Sequence, residues 1–203
     1  MPVTGAQRIN NRVQPLLDAA AGQFAAKGYR AATIRDIAAA VDMLPGSVYY
    51  HFPSKQALLL AVYEEGVRRI SSGLDESIAC ETDPWQRLRK AAEAHLETIL
   101  DRSAYACVMN RVSPDQVPEI EQELVALRGA YEDRFVALFD ELPLQEGTDR
   151  GLLRLMMLGS LNWAQVWYRP GRASLTDIAQ AFVDNLRLPL AQGAVAAEID
   201  HEH

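Results

Sequence analysis

The chain has 203 residues, of which 49% are hydrophobic and 23% are charged, with two cysteines and a formal net charge of −7. This composition is typical of a globular protein and excludes collagen-like, disulfide-rich and disordered chains. No apolar run reaches the roughly 18 residues that a membrane-spanning helix needs, and the first residues lack the pattern of a secretion signal. We therefore expect a cytoplasmic protein with reduced thiols and no membrane partner.

The charge is unevenly divided along the chain. Residues 1–55 contain six basic and three acidic residues, a net charge of +3, whereas residues 56–203 contain 14 basic and 24 acidic residues, a net charge of −10. A basic N-terminal quarter on an acidic body suits a polyanion-binding module, although +3 over 55 residues also arises by chance. Charge alone leaves both interpretations open.

Helix signals dominate the N-terminal part, and no stretch has the period-two alternation of a strand. Pro15 and Pro45 are placed to open helices, since proline is favoured in the first helical turn. Thr33, with an acidic residue three positions later, resembles a capping box, and Gly28 is a helix stop. The sequence predicts four helices here, over residues 15–27, 33–41, 45–52 and 55–72.

The rest of the chain has apolar residues at helical spacing, interrupted by proline and glycine. Ser174 and Asp177 are expected to cap the last helix, and Pro189 is expected to stop it, leaving residues 190–203 as a disordered tail. The predicted fold class is all-α, with about nine helices: three short N-terminal helices followed by a larger antiparallel bundle. The five bundle helices after residue 72 are predicted over residues 84–99, 103–109, 119–142, 149–168 and 174–188.

The segment over residues 33–52, TIRDIAAAVDMLPGSVYYHF, predicts two short helices around a three-residue turn, a helix-turn-helix. Apolar residues such as Ile37 and Val48 face a core on one side. The opposite face of the second helix carries short or hydrogen-bonding residues: Gly46, Ser47, Tyr49, Tyr50 and His51. A helix of this kind suits the major groove of DNA, and Lys55 just beyond it can contact a phosphate.

Residues from about 16 to 60 resemble the DNA-binding domain of the TetR family of bacterial transcriptional regulators, since LLDAAAGQFAAKGYRAATIRDIAAAVDMLPGSVYYHFPSKQALL matches it at many fixed spacings. The resemblance implies a DNA-binding domain over residues 8–54 and a helical ligand-binding and dimerisation domain over residues 55–189. It also implies a ligand-responsive repressor that binds a palindromic double-stranded DNA operator as a homodimer. A small apolar effector would release the operator.

By this resemblance, Thr33 and Arg35 meet the DNA backbone, while His51 and Lys55 hold phosphates. Thr33 has the alternative role of being mainly a helix cap, and one of the two tyrosines has the alternative of packing in the domain core with its hydroxyl reaching outward. The complete set of residues expected to contact DNA is Thr33, Arg35, Pro45, Gly46, Ser47, Tyr49, Tyr50, His51 and Lys55.

Three positions depart from the family pattern. Asp42 replaces the usual turn glycine, but aspartate tolerates the left-handed conformation, so we expect the turn to survive. Leu44 occupies the usual position of a capping Ser or Thr, and Pro45 that of a frequent Lys or Arg. Fewer ionic contacts imply weaker non-specific DNA binding and a gentler salt dependence.

The segment over residues 162–171, NWAQVWYRPG, also resembles TetR-family members of fatty-acid or steroid degradation, which respond to acyl-CoA thioesters. An acyl-CoA is therefore the favoured effector. His95 lies on an otherwise apolar helix face, where a hydrogen-bonded core histidine is the alternative to a ligand contact. The residues expected to line the effector pocket are Leu88, Ala92, His95, Leu96, Tyr105, Val108, Met109, Leu127, Tyr131, Trp163 and Trp167.

The last two predicted helices, over residues 149–168 and 174–188, are expected to form the homodimer interface. Gly159 and its small neighbours allow a second helix to approach closely, although core packing would use the same stripe. An isolated subunit is expected to expose a set of apolar residues on these helices: Leu152, Leu155, Leu161, Ala179, Phe182 and Leu186.

Enzyme signatures are absent from the sequence: it has no GxSxG, Walker loop, GxGxxG or HExxH motif. The four histidines are too scattered for a metal site, and no cofactor is expected. The alternative from another class is a helical enzyme or lipid carrier with an incidental helix-turn-helix. Sequence-selective binding to a palindrome would distinguish the two.

Overall fold

The computed structural model describes the backbone of residues 5–199 and the side chains of residues 13–187. Within this part of the chain the protein is all-helical, as predicted, and has ten α-helices. Two single 3₁₀ turns, Pro114–Gln116 and Pro118–Ile120, precede α7. The helices are α1 (Gly5–Lys27), α2 (Ile34–Ala39), α3 (Pro45–His51), α4 (Lys55–Ile78), α5 (Pro84–Leu100), α6 (Ala104–Arg111), α7 (Glu121–Asp140), α8 (Arg150–Asn162), α9 (Ala164–Trp167) and α10 (Leu175–Ile199).

The helix ends follow the local chemistry read from the sequence. The side-chain oxygen of Thr33 accepts a hydrogen bond of 3.1 Å from the backbone N–H of Asp36, which caps α2. Gly28, just after α1, has a φ of +79°, and Asp42 takes the left-handed conformation with a φ of +51°. Pro45 is the first residue of α3. Local signals therefore determine where these short helices begin and end.

Among the described residues, 5–69 and 101–129 form one compact unit. Helix α1 contacts α2 and α6, and α2 contacts α3. The core of this unit contains apolar side chains that are fully or almost fully buried, including Leu16, Phe24, Ile37, Val48 and Leu58. This packing fixes the orientation of α3.

The described residues 70–100 and 130–199 form a second compact unit, in which α5 contacts α8, α9 and α10. Leu88, Leu96, Phe135 and Leu161 are fully buried in it. The two units do not follow the predicted division at residues 54 and 55, because residues 55–69 and 101–129 belong to the first unit. The functional domain bounds 8–54 and 55–189 stay a prediction.

Two prolines predicted at helix ends lie inside helices. Pro15 is in the middle of α1, and α10 continues through Pro189 to Ile199, so residues 190–199 are helical rather than disordered. Residues 200–203 of the predicted tail lie outside the described residues. A proline lacks one N–H and removes one helical hydrogen bond, but the helix can continue on both sides of it.

The single helix predicted over residues 149–168 is interrupted at Trp163. Helix α8 ends at Asn162, and Trp163, with φ −74° and ψ −5°, separates it from the single turn of α9. The backbone N–H of Trp163 still donates to the carbonyl of Gly159, at 3.2 Å. The interruption is therefore a local change of helical geometry at Trp163.

Candidate nucleic-acid interface and ligand-binding residues

Helix α3 has one buried face and one exposed face. Val48 is fully buried and anchors the helix, while Gly46 and Ser47 are exposed. Tyr49 and Tyr50 are 50% and 78% exposed, so the alternative that one tyrosine packs in the core is wrong. We call the exposed residues Leu44, Gly46, Ser47, Tyr49 and Tyr50 the α3 surface. It offers hydroxyl groups and aromatic edges to a partner.

The remaining predicted DNA-contacting residues flank this surface. His51 is half-buried, and its ring meets the ring of Tyr50 edge-on with 5.4 Å between centroids. Arg35 is exposed and Pro45 is half-buried. Thr33 is exposed and its side chain caps α2, as its alternative role predicts. Their contacts with DNA stay a prediction.

The ammonium group of Lys55 lies against the backbone after α1. Its nitrogen donates to the carbonyl oxygens of Tyr29, Arg30 and Ala32, at 2.9, 3.3 and 3.1 Å. It also lies 4.5 Å from the centre of the Tyr29 ring. Burial lowers the pKa of this lysine. An ammonium group has three N–H donors, and the three carbonyls use all of them, so Lys55 has a structural role beside the predicted phosphate contact.

We expect Lys55→Met to lower the free energy of unfolding by about 2 kcal/mol, since hydrogen bonds to a charged group contribute more than neutral ones. Thermal unfolding followed by circular dichroism measures this. Lys27→Met is the matched control, because Lys27 pairs with Asp36 on the surface at 2.9 Å and such pairs contribute less than about 1 kcal/mol. Unchanged stability, together with a DNA salt slope reduced by about one unit per subunit, would instead favour a phosphate contact.

His95 is buried and lies at the centre of a polar cluster in the second unit, whose members Tyr131 and Asn162 are buried and exposed, respectively. Its Nδ1 is 3.0 Å from the Tyr131 hydroxyl and its Nε2 is 3.0 Å from Oδ1 of Asn162. The Asn162 oxygen only accepts, so Nε2 carries the hydrogen and Nδ1 accepts from the tyrosine. The ring also packs edge-on against Phe135. Both ring nitrogens are satisfied, which confirms the alternative of a hydrogen-bonded core histidine.

Burial lowers the pKa of His95 from 6.5 to about 4. Below pH 6.5 the unfolded chain binds a proton at this residue that the folded chain does not bind. The free energy of unfolding should therefore fall by about 1.4 kcal/mol per pH unit as the pH drops from 6.5 towards 4. Denaturant unfolding at several pH values measures the slope.

His95→Gln is the control variant, because glutamine keeps hydrogen-bonding capacity but does not titrate. This substitution should flatten the dependence of the free energy of unfolding on pH between pH 6.5 and 4.5. Glu65, whose pKa is lowered to about 2 mainly by hydrogen bonding to Arg68, affects stability mainly between about pH 5 and pH 2, and it does so equally in wild type and in His95→Gln. An equal slope in wild type and His95→Gln above pH 4.5 would show that His95 is not the group responsible.

The other residues predicted to line an effector pocket differ widely in burial. Tyr105 and Val108 are buried, and the Tyr105 hydroxyl donates to a carboxylate oxygen of Asp18 at 2.8 Å. Met109 and Leu127 are half-buried. Leu88, Ala92 and Leu96 are fully buried, whereas Trp163 and Trp167 are 62% and 40% exposed. The structure joins His95 to Tyr131 directly, and the ligand assignments stay a prediction.

Helices α8 and α9 carry a row of exposed apolar side chains. We call this row the α8–α9 stripe; its members are Leu152, Leu155, Met156, Trp163, Val166 and Trp167. Gly159 lies within it, and a Cβ atom added there would meet nothing within 4 Å. The expectation that Leu161 and Ala179 are exposed is wrong, because both are fully buried against the rest of the second unit. Phe182 and Leu186 are half-buried.

Sequence reasoning missed two features of these sites. Asn162, the partner of His95, is 67 residues away in sequence, so no local pattern connects them. The second feature is the set of Lys55 hydrogen bonds, whose acceptor carbonyls lie 23 to 26 residues earlier in the sequence, so no local pattern indicates them either. Across the described residues, no helix is long and apolar enough to cross a membrane, and no cluster of three or more His, Cys, Asp or Glu side chains could hold a metal ion.

Two family profiles match the chain. Residues 16–62 match the profile described as "Bacterial regulatory proteins, tetR family". Residues 81–189, more than half of the chain, match "Tetracyclin repressor-like, C-terminal domain". The first match contains α2 and α3, and the second contains the His95 cluster and the α8–α9 stripe.

Curated proteins and solved structures agree with these matches. The chain is 29% identical to the transcriptional repressor KstR2 of Rhodococcus jostii, over 83% of this chain and 85% of the relative. It is 31% identical to the transcriptional activator FasR of Mycolicibacterium smegmatis, over 81% and 75%. The structure of AibR with isovaleryl coenzyme A and operator DNA is similar in fold, with a TM-score of 0.69, 22% identity, and coverage of 85% and 96%. This chain belongs to the TetR family of bacterial transcriptional regulators.

Proposed function

We propose that this regulator binds a palindromic operator as a homodimer, with one α3 helix in the major groove at each half-site. The observation that carries the proposal is the α3 surface. Buried Val48 fixes the helix, while Ser47, Tyr49 and Tyr50 present hydrogen-bonding groups on the opposite side. Exposed hydrogen-bonding side chains on a recognition helix read base edges in the major groove.

Phosphate contacts in this proposal come from a small number of cations. Lys27 is paired with Asp36, and the Lys55 ammonium is held by three carbonyls. Arg30 and Arg35 are exposed on the same unit. We expect a gentle salt dependence of DNA binding, since each phosphate neutralised adds about one unit to the slope.

The homodimer is proposed to form through the α8–α9 stripe together with α10. An exposed row of large apolar side chains is unusual on a monomer and marks an interaction surface. A two-fold axis places two equivalent surfaces against each other and also pairs the two α3 helices. Half-sites would then lie about 34–36 Å apart, or a multiple of that distance.

An acyl-CoA thioester is the proposed effector, and repression is the proposed mode of action. The relative KstR2 is a repressor, and AibR is described with isovaleryl coenzyme A and operator DNA. The apolar face of α5, which carries Leu88, Ala92 and Leu96, offers surroundings suited to an uncharged chain. The protein would act in the cytoplasm, where its operator is, as a binding protein and not as an enzyme.

Selection of bound duplexes from a randomised pool tests the proposal. We expect enrichment of a palindrome whose half-site centres are one helical turn of DNA apart, or a multiple of a turn. Enrichment of a non-palindromic sequence would contradict the dimer. If no sequence is enriched after several rounds of selection, that result would contradict sequence-specific binding and favour the alternative of an enzyme or carrier.

A further inference from the structure

Leu44 is the only aliphatic side chain among the five residues of the α3 surface. It is the N-cap residue of α3, with φ −78° and ψ 146°, and its side chain makes no capping hydrogen bond. The N-cap position favours Ser, Thr, Asn or Asp, whose side chains accept from the first helical N–H groups. Leucine gives no such stabilisation here, so local helix formation does not account for it.

Core packing does not account for Leu44 either. Its side chain is 76% exposed, close to the value for Tyr50, although Val48 four residues later is fully buried. Nothing lies within 4 Å of a Cβ atom built at the neighbouring Gly46. The leucine therefore projects beside an open stretch of backbone at the start of the helix, with its methyl groups available to an external partner.

The major groove contains one apolar group among its base edges, the 5-methyl group of thymine. Residues at the N-terminal end of a recognition helix are those that reach base edges. We propose that Leu44 is a specificity-determining residue that contacts the 5-methyl group of a thymine in each operator half-site. This inference rests on the proposed function, because it requires α3 to enter the major groove.

The expected effect follows from the burial of one methyl group. Removing it should weaken binding about fourfold per half-site, which corresponds to about 0.8 kcal/mol for one buried carbon. A palindrome contains the position twice, so replacing both thymines should weaken binding about fifteenfold. Uracil differs from thymine only by this methyl group, which makes it a direct probe.

The experiment uses the full chain and the duplex obtained by selection. Each thymine of the half-site is replaced symmetrically by uracil, one position at a time, and dissociation constants are measured by fluorescence anisotropy. The affinity of wild type should fall about fifteenfold when uracil replaces thymine at one of these positions in both half-sites. Leu44→Ala should bind the thymine and uracil duplexes equally at that position, since its methyl contact is already lost.

Val125→Ala is the matched control, because it shortens another exposed aliphatic side chain, on α7, and should keep the full thymine preference. Leu44→Ser supplies the missing cap, so it tests the contact in a chain whose α3 is retained. Two results would overturn the inference while leaving operator binding intact. In the first, wild type binds every uracil-substituted duplex as tightly as the thymine duplex. In the second, Leu44→Ala and Leu44→Ser keep the wild-type preference for thymine. Failure to select any duplex would remove the proposed function and this inference together.

Discussion

Gly159→Arg is expected to produce a folded monomer that has lost most of its operator affinity. A Cβ atom at Gly159 meets nothing within 4 Å, and the residue is exposed, so arginine fits the isolated chain. It would place a charged side chain in the middle of the α8–α9 stripe. Two linked DNA-binding heads gain about 10²- to 10⁴-fold in affinity over one, and the variant should lose that gain.

Sedimentation velocity at micromolar concentration measures the assembly, and anisotropy with operator DNA measures the affinity. Gly73→Arg is the matched control, since Gly73 is also an exposed helical glycine with open space around its Cβ position, but lies on α4. Both substitutions remove a helical glycine and should leave the helical content intact. A Gly159→Arg protein that sediments as a dimer with wild-type affinity would exclude the stripe as the interface.

The second large effect is release of the operator by acyl-CoA thioesters. Moving a population from 1:99 to 99:1 requires about 5.5 kcal/mol of differential affinity between the two states. About seven buried methylenes supply this, at about 0.8 kcal/mol each, if their contacts exist only in the DNA-free state. We therefore expect release to strengthen with chain length and to stop where the site ends.

A titration of the operator complex with a series of thioesters of increasing length checks this, beside the corresponding free acids and coenzyme A alone. Leu127→Ala should raise the concentration needed for release, because Leu127 is half-buried and predicted to contact the ligand. Val125→Ala changes an exposed residue on the same helix and should leave the concentration needed for release unchanged. If no thioester releases DNA up to about millimolar concentration, the effector class is wrong and the regulator assignment is unaffected.

Much of the N-terminal fold was predictable because short-range chemistry determines it. Thr33 caps α2, Pro45 opens α3, and Asp42 adopts the left-handed conformation that the turn needs. The family resemblance rested on Thr33 and the other matching residues between about 16 and 60, since Asp42 and Pro45 depart from the family pattern. Where a helix boundary depends on one or two neighbouring side chains, the sequence contains the information.

Features that depend on distant residues were not predictable. Pro189 is a local stop signal, yet α10 passes through it, since losing one hydrogen bond does not prevent helix on either side. The burial of Leu161 and Ala179 depends on how α8 and α10 pack on α5. The Lys55 bonds to the backbone after α1 span more than 20 residues of sequence, and no periodicity encodes them.

The most direct test of the account is the affinity of wild type and Tyr50→Ala for the selected palindrome, against a scrambled duplex of equal length and composition. Tyr50 is 78% exposed, so its truncation should leave the helical circular dichroism unchanged. We predict that wild type prefers the palindrome by at least about 10³-fold at physiological salt, and that Tyr50→Ala loses at least about tenfold of this preference. Equal affinity of wild type for both duplexes, or full preference retained in Tyr50→Ala, would contradict recognition through α3.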